Sequence, residues 1–327
     1  MGSHEQALKR YEEARTLYIA AGNRQGEGVA HEHLGKSYRD TGQLTLAEEA
    51  HRAALVIGRE VGDLRSVGMA LGSLASLARE RGAFAESIDL SLDALSAYQQ
   101  SEDARGETVT LGNLGNVYLV CGELDQALSF YQQGLTQAHA IGDSHIEATY
   151  TGYMGLIHEA HGRNDDAHSA FQAAAEIFRV RGDTIQQGVW EGNAGDSLMK
   201  LGRLEEAEVH LRQAIDSLSG RLEVAAGAFS GSLALLLAQG GRLAEAKALL
   251  SDARSSVAPD PNEHLKFLVK SGQVLHISGD RPGAIDALND ARRLITAHAF
   301  TEDSANAIAV RELAVRLGVP TDTVPST

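Results

Sequence analysis

The chain has 327 residues, of which 43% are hydrophobic and 5% aromatic, so it can fold, but small side chains must do much of the packing. It carries 29 Lys and Arg against 44 Asp and Glu, and the net charge of −15 argues against nucleic-acid and anionic-membrane binding. Its single cysteine, Cys121, excludes a disulfide framework within the chain and favours a cytoplasmic location. No apolar run approaches the roughly 18 residues of a membrane span. Residues 1–4 lack a signal-peptide core and are interpreted as a cloning scar.

Residues 5–21 form the first predicted helix, and this helix matches the second half of the repeat that follows. Tyr11 and Ala14 stand 40 residues before His51 and Ala54, which occupy second-helix positions. The chain therefore begins halfway through a helix pair. A fragment cut from a longer protein explains this start, and a native N-terminus with one orphan capping helix is the alternative.

A two-helix unit of 40 residues then repeats along the chain, most clearly at residues 111–135. Leu111, Leu114 and Tyr118 recur at helical spacing before a glycine, and a second apolar stripe follows that glycine. A glycine at this place predicts a helix end and a tight turn between two antiparallel helices. The turn glycine recurs in seven units, at Gly42, Gly82, Gly122, Gly162, Gly202, Gly241 and Gly279.

Two further features follow the same period. A small residue lies five positions after each turn glycine, as close packing of two helices requires: Ala47, Ser87, Ala127, Ala167, Ala207, Ala246 and Ala284. A two-residue motif, which we term the second punctuation, separates successive helix pairs: Gly22-Asn23, Gly62-Asp63, Glu102-Asp103, Gly142-Asp143 and Gly182-Asp183. Self-similarity at a fixed period of this length predicts a helical solenoid.

The pattern becomes irregular after Gly220, where the stretch Val257–His264 contains two prolines and predicts a loop. A last amphipathic helix is predicted over residues 302–317, with Ile308, Leu313 and Leu317 on its apolar side. We therefore expect the following division: repeats over 5–300, a C-terminal capping helix over 301–318 and a disordered tail over 319–327.

The third unit resembles the tetratricopeptide repeat at seven positions: Leu114, Gly115, Tyr118, Gly122, Ala127, Tyr131 and Gly134. The closing proline of that repeat is absent, and each unit has about one extra helical turn. This longer form is similar to the repeats of kinesin light chains, of Pins-type polarity adaptors and of the C-terminal sensor arms of bacterial STAND regulators. Over residues 5–300 the resemblance implies an all-α, right-handed superhelix (a TPR solenoid). Its expected parts are one orphan helix, seven helix pairs and a capping helix.

The sequence predicts no catalytic residues, no metal site and no cofactor. The stretch HEHLG at His31–Gly35 is similar to a zinc motif only superficially, because His31 and His33 are two residues apart and face different sides of a helix. The glycines follow the repeat period rather than a phosphate-binding pattern. Cys121, before a turn glycine, is expected to be a packed, inert thiol.

The resemblance implies that the first helices of the pairs line a concave groove that binds a peptide or protein segment. Carried over from Leu114 and Gly115, the candidate groove residues are His33, Lys36, Arg39, Ser73, Arg79, Asn113, Asn116, Tyr153, Asn193 and Asp196. Asparagine is a poor helix former, so its recurrence in the middle of helices calls for a reason. Its amide suits binding of a peptide backbone; the alternative is that these amides bond internally and order the stack.

Charge along the predicted groove is uneven. Lys36, Arg39 and Arg79 make its first end positive, whereas Glu159 and Asp196 make the later part negative. Such a gradient could orient a ligand, although surface charges of this kind often only solvate the protein. Of the aromatic residues nearby, Tyr153 is assigned to the groove and Trp190 to packing between helices.

We interpret the chain as a non-catalytic peptide- or protein-binding module. By resemblance it is the C-terminal sensor arm of a bacterial STAND-type signalling or transcription regulator, with an upstream ATPase or effector domain attached. A free-standing scaffold that bridges protein partners is the alternative. A peptide-pheromone receptor would need an additional small helical effector domain.

Overall fold

The computed structural model describes residues 2–298, 300 and 304–321, with side chains from residue 5 onward, and these residues form sixteen helices and no strand. The predicted all-α fold of an orphan helix, seven pairs and a C-terminal helix is confirmed. The first helices of the pairs are α2 (Arg24–Asp40), α4 (Leu64–Glu80), α6 (Ala104–Val120), α8 (Ser144–Ala160), α10 (Thr184–Lys200), α12 (Glu223–Gln239) and α14 (Pro261–Ile277). The second helices are α3 (Leu44–Val61), α5 (Phe84–Gln100), α7 (Leu124–Ala140), α9 (Asn164–Arg181), α11 (Leu204–Leu218), α13 (Leu243–Val257) and α15 (Arg281–Ala297). Two helices stand outside the pairs, α1 (Gly2–Ala20) and α16 (Ala305–Leu317).

The chain divides into two compact units, Met1–Ile157 and His158–Thr327, and the boundary falls within α8. In the first unit α1 packs on α2, and α4 and α6 each pack on the second helix before and after them. In the second unit α10 and α12 pack in the same way. Helix α1 already includes residues 2–4, three of the four that the sequence analysis places outside the repeats.

The seven turn glycines all adopt the left-handed conformation that ends a helix, with φ between 72° and 81°. The glycines of the second punctuation do the same, for example Gly62 with φ 72° and Gly142 with φ 69°. At the equivalent place Glu102 has φ 56°, and it is the one non-glycine residue with positive φ among those described. A side chain with a Cβ is disfavoured there, so this turn is strained where its counterparts are not.

The aspartates of the second punctuation have two roles in the first unit. Each caps the helix that follows it, as when Asp103 Oδ1 accepts a hydrogen bond from the Gly106 amide at 2.9 Å. Each also receives a side chain from the preceding first helix, with Arg65 Nε 2.7 Å from Asp103 and Arg105 3.3 Å from Asp143. The capping hydrogen bond from the Ser66 amide is the main cause that lowers the pKa of Asp63.

Small residues occupy the centre of each helix pair, as the spacing predicts. The six alanines that follow the turn glycines are 0% exposed, and Ser87 at the seventh position donates a hydrogen bond to the Ala75 carbonyl at 2.8 Å. Within the third pair, Leu114 and Tyr131 are both 0% exposed. A Cβ on Gly115 would lie 2.8 Å from the Tyr131 ring, so glycine lets this ring reach the backbone of α6.

Successive first helices meet through what we term the ring–glycine contact. The glycine lies on one first helix, ten residues before the turn glycine that ends that helix. The aromatic ring that it faces lies on the next first helix, twelve residues before the turn glycine of that helix. A Cβ on the glycine would lie closer than 3.0 Å to that ring in three such contacts: Gly112 with Tyr150, Gly192 with Phe229 and Gly231 with Phe267. The glycine is buried in each case. These contacts let rigid rings fill the space between first helices.

The loop predicted at Val257–His264 is wrong for most of that stretch. Helix α13 ends at Val257 and α14 begins at Pro261 with Asp260 as its cap, because proline is tolerated in the first turn of a helix. In α16 the side chains of Leu313 and Leu317 are buried, whereas Ile308 is 42% exposed, so its assignment to the apolar side is wrong. Residues 301–303 of the predicted cap and 322–327 of the predicted tail lie outside the described residues. None of the described helices is long and apolar enough to cross a membrane.

Candidate functional site

The predicted groove positions lie nine, six and three residues before each turn glycine, on the first helices. We term the surface they form in the first unit the first-helix face, and its members have half-buried or exposed side chains: His33, Lys36, Arg39, Ser73, Ser76, Arg79, Asn113, Asn116, Leu119, Tyr153 and Leu156. None of these residues is buried. The repeat therefore holds its packing residues inside and leaves this set of varied residues accessible.

Asn116 lies in an aromatic cluster rather than facing outward alone. Its Oδ1 accepts a hydrogen bond from the Tyr131 hydroxyl at 2.7 Å, and Tyr131 stacks on Tyr153 with ring centroids 5.3 Å apart. Burial, and then the neighbouring Tyr153, raise the pKa of Tyr131 well above its usual value, so its hydroxyl stays protonated and donates. For Asn116 the geometry favours the alternative of internal bonding.

The other two asparagines differ from Asn116 and from each other. Asn193, in the second unit, donates a hydrogen bond from Nδ2 to the Val189 carbonyl of its own helix at 3.0 Å. Asn113 is half-buried, and its side chain forms no hydrogen bond with another described residue. Of the three asparagines, it is the one whose side-chain amide has no such partner.

Two cations of the first-helix face are likewise without a partner. Lys36 and Arg79 form no ion pair or side-chain hydrogen bond within the described part of the chain, and Arg39 approaches Asp40 only at 4.0 Å. His33 stacks on Tyr11 of α1 with ring centroids 4.8 Å apart. The first-helix face thus carries net positive charge although the chain has a net charge of −15.

A buried polar network that was not among the candidate residues lies beside this face. The Glu32 side chain is 8% exposed, and its Oε2 lies 3.1 Å from His51 Nδ1 and 3.3 Å from Ser73 Oγ. Glu32 Oε1 is buried and has no hydrogen-bond partner among the described residues. The sequence does mark Glu32 as unusual, because the equivalent position in the next four units is a glycine: Gly72, Gly112, Gly152 and Gly192.

The later groove residues, in the second unit, are paired with cations. Glu159 lies 2.9 Å from Lys200, and Asp196 lies 3.8 Å from Lys270, which also donates to Ser232 Oγ. The negative charge expected there from Glu159 and Asp196 is therefore largely offset. Trp190 is 5% exposed and stacks on Phe171 with centroids 5.9 Å apart, in agreement with a packing role.

The remaining candidates for reactive side chains are Cys121 and the histidines of the HEHLG stretch. Cys121 is exposed, so its assignment as a packed thiol is wrong; it lies at the exposed end of α6 rather than in the core. Within the described residues no three His, Cys, Asp or Glu side chains are placed to hold a metal ion. In the HEHLG stretch, burial lowers the pKa of His31, and the buried carboxylate is that of Glu32.

Sequence profiles described as tetratricopeptide repeat match three stretches of the chain, residues 107–179, 192–217 and 228–251. These stretches of the chain are tetratricopeptide repeats, in agreement with the helix pairs, the turn glycines and the buried small residues. None of the curated proteins matches the sequence.

Several solved structures share the fold of this chain at low sequence identity. Aspartyl phosphate phosphatase F from Bacillus subtilis matches with a TM-score of 0.67 and 14% identity over 85% of this chain and 73% of its own. A Rap protein complexed with competence and sporulation factor matches at 0.56 and 13% identity over 97% and 99%. A signal transduction ATPase with a tetratricopeptide repeat sensor, from Pyrococcus horikoshii, matches at 0.64 and 18% identity over 72% of this chain and 37% of its own.

Proposed function

We propose that this chain is a non-catalytic module that captures a peptide or an extended protein segment on its first-helix face. The observation that carries the proposal is the presence on that face of Lys36, Arg79 and Asn113 without a side-chain hydrogen bond or ion pair to another described residue. They are not needed to hold the helix pairs together, and rigid helices fix their positions. Side chains that are accessible, polar and held in place are suited to recognition.

The chemistry of these three residues fits an extended chain. The Asn113 amide offers both a donor and an acceptor, which matches the alternating groups of a peptide backbone. Lys36 and Arg79 attract acidic groups of the ligand and increase the association rate at low ionic strength. Tyr153, stacked on Tyr131, adds an aromatic surface at the edge of the same face.

The comparisons support a ligand-binding repeat over other functions of the fold. One matched structure is a complex of a Rap protein with competence and sporulation factor, and another carries a tetratricopeptide repeat sensor. At 13% and 18% identity these likenesses concern the fold, so the ligand of this chain has to be found by experiment.

Selection of a random peptide library on the full chain tests the proposal. Selected peptides are synthesised, and their dissociation constants are measured by calorimetry for the wild type and for Lys36→Ala, Asn113→Ala and Arg79→Ala. We expect each variant to weaken binding by about threefold to tenfold, as the loss of one hydrogen bond or one exposed charge contact does. Selected peptides that bind all three variants as tightly as the wild type would contradict the assignment of this face.

We further propose that the module is the sensor arm of a STAND-type regulator, in which ligand capture changes the state of an attached ATPase or effector domain. The likeness to the Pyrococcus horikoshii protein supports this role, and this chain spans 37% of that protein. The reading frame upstream of residue 5 in the genome provides the test. A nucleotide-binding domain encoded there is the expected result, and an unrelated or absent upstream domain would contradict the role.

A free-standing scaffold is the second candidate, and the division into two compact units favours it. Each unit has its own first helices, so the two can bind different partners. Under this function, peptides selected on the full chain fall into two groups that do not compete with each other. One group is sensitive to Asn113→Ala and the other to Gln273→Ala, a half-buried position of the second unit. A single competing group argues against the scaffold.

A further inference from the structure

The second unit contains a cavity of about 610 Å³ between the second helices α13 and α15, over the first helix α14. Side chains from all three helices line it: Ser251, Ser255, His264, Leu268, Leu294 and Ala297. Leu268 is 4% exposed and belongs to the floor, whereas the two serines and Ala297 are exposed, so the cavity opens to solvent. A volume of this size is typical of sites for small molecules.

Two features of α13 leave this space open. Ser251 lies ten residues after its turn glycine, where the five preceding second helices carry larger side chains: Arg52, Leu92, Gln132, Gln172 and Arg212. Helix α13 also ends at Val257, two residues earlier in the repeat register than α15, which ends at Ala297. The last turn of α15 therefore extends past the end of α13, and small side chains leave the wall opposite it open.

Two arginines bring positive charge to the lining of the cavity. Asp290 of α15 lies 3.3 Å from Arg254 and 2.9 Å from Arg293, so that one carboxylate holds two guanidinium groups in place. Each guanidinium has five N–H donors, and each forms only this one contact with the described residues. Donors therefore remain for a ligand, and the three side chains keep one uncompensated positive charge although the chain has a net charge of −15.

The His264 ring contributes a polar group without adding charge. Burial lowers the pKa of His264, and after burial the nearby Arg254 contributes most in the same direction. The ring is therefore neutral at pH 7 and offers one donor and one acceptor to the cavity. The lining thus combines an apolar floor, a neutral imidazole and two fixed guanidinium groups.

We propose that this cavity binds a small organic acid, with its apolar body against Leu268, Leu294 and Ala297 and its carboxylate at Arg254 and Arg293. Guanidinium groups match the planar geometry of a carboxylate and form charge-assisted hydrogen bonds with it. The apolar floor gains from a hydrocarbon or aromatic body, which a bare inorganic anion lacks. The site lies on the second helices of the second unit, so it is independent of the proposed function of the first-helix face.

Saturation-transfer NMR titrations of the full chain with three probes of the same shape test the site: 4-phenylbutanoate, 4-phenylbutanamide and 4-phenylbutylammonium. We expect the acid to bind about fivefold to tenfold more tightly than the amide, and the ammonium to bind most weakly. Arg293→Gln should remove most of the preference for the acid. Asp290→Asn should tighten binding of the acid by about threefold, because no carboxylate of the protein then competes for the arginines. Neither change should alter binding of the amide.

Two variants that fill the cavity complete the test. Ser255→Trp fills it from α13 and Ala297→Trp from α15, and each should weaken the acid and the amide at least tenfold. The two walls keep the experiment usable if one variant fails to fold by circular dichroism. Ala248→Trp, which is exposed on α13 outside the lining, is the matched control and should bind like the wild type. Equal binding of the three probes, or undiminished binding of the acid by a folded filled variant, would overturn the site.

Discussion

At the scale of single residues, the main result is that neighbouring groove positions have different tasks. Asn113 and Asn116 are one helical turn apart on α6, and both are candidate groove residues by sequence. Asn116 accepts a hydrogen bond from Tyr131, whose side chain is 0% exposed, whereas Asn113 has no such partner. Asn116 therefore contributes to stability, whereas Asn113, one helical turn away, belongs to the proposed binding surface.

This difference gives the first prediction. Asn116→Ala leaves the buried Tyr131 hydroxyl without its acceptor and should lower the free energy of unfolding by about 1–3 kcal/mol. Asn113→Ala should leave stability unchanged or raise it slightly, because alanine is the better helix former. Urea denaturation followed by circular dichroism measures both changes. A stable Asn116→Ala variant, or a destabilised Asn113→Ala variant, would show that the two tasks are assigned the wrong way round.

The roles of Asn116 and Glu32 could not be predicted from the sequence. The repeat register places Asn116 and Glu32 on first helices, but their tasks depend on Tyr131 and His51, which lie on other helices fifteen and nineteen residues away. Spacing within a helix carries no information about such partners. The replacement of a repeat glycine by Glu32 was visible in the sequence, and a comparison at every position of the register would have found it.

The turn at Glu102 gives the second prediction. Glu102 adopts φ 56°, while the equivalent Gly142 has φ 69° and no atom near its would-be Cβ. Glu102→Gly should stabilise the chain by about 1 kcal/mol, since it removes a side chain from the left-handed conformation. The reciprocal change, Gly142→Glu, should destabilise it by a similar amount. Urea midpoints of both variants that shift in the same direction would contradict a backbone origin.

At the scale of elements, local chemistry accounts for the accuracy of the predicted helix boundaries. In the second punctuation a residue with positive φ ends one helix, and an aspartate caps the next helix. Both effects involve only the backbone of adjacent residues. For the same reason the turns could be predicted without any tertiary contact. The exposed positions of Ile308 and Cys121 could not, because they depend on how the helix ends are covered.

The third prediction concerns packing within a helix pair. Ala127 of α7 is 0% exposed, so Ala127→Phe should overpack the pair of α6 and α7 and cost about 1–3 kcal/mol. Ser129 is exposed on the same helix, and Ser129→Phe serves as a control with an expected change within about 0.5 kcal/mol. Chemical denaturation compares the two variants. Equal stabilities would mean that the repeat register of α7 is wrong.

At the scale of the whole molecule, histidines that are buried or half-buried link stability to pH. Burial is the leading cause that lowers the pKa of four side chains: His31, His158, His168 and His264. A pKa that is lower in the folded chain than in the unfolded chain means that the unfolded chain binds more protons between the two values. Stability is then fully present above the unfolded pKa of about 6.5 and decreases as the pH falls through the folded values.

The fourth prediction tests this linkage at His168. Its side chain is 9% exposed, and after burial the neighbouring His210 contributes most to the lowered pKa. His168→Leu places there the residue type that Leu128 provides at the same register position. The free energy of unfolding, measured by urea at pH 8, 7, 6 and 5, should fall less steeply below about pH 6.5 in the variant than in the wild type. An unchanged slope would mean that His168 does not contribute.

The ring–glycine contacts also bear on whether repeats of equal length can be exchanged. Excision of residues 103–142 would join α5 to α8, and Arg65 would then face Asp143 much as it faces Asp103. Tyr150 would come to lie over Gly72, but Ile146 would replace Gly106 against the Tyr98 ring, where no Cβ is tolerated. The arginine–aspartate contact would thus survive this excision, whereas the ring and glycine positions of the new neighbours would not match. Each repeat therefore packs well only against the neighbour whose rings and glycines match its own. Exchanging repeats would require paired substitutions at each new junction.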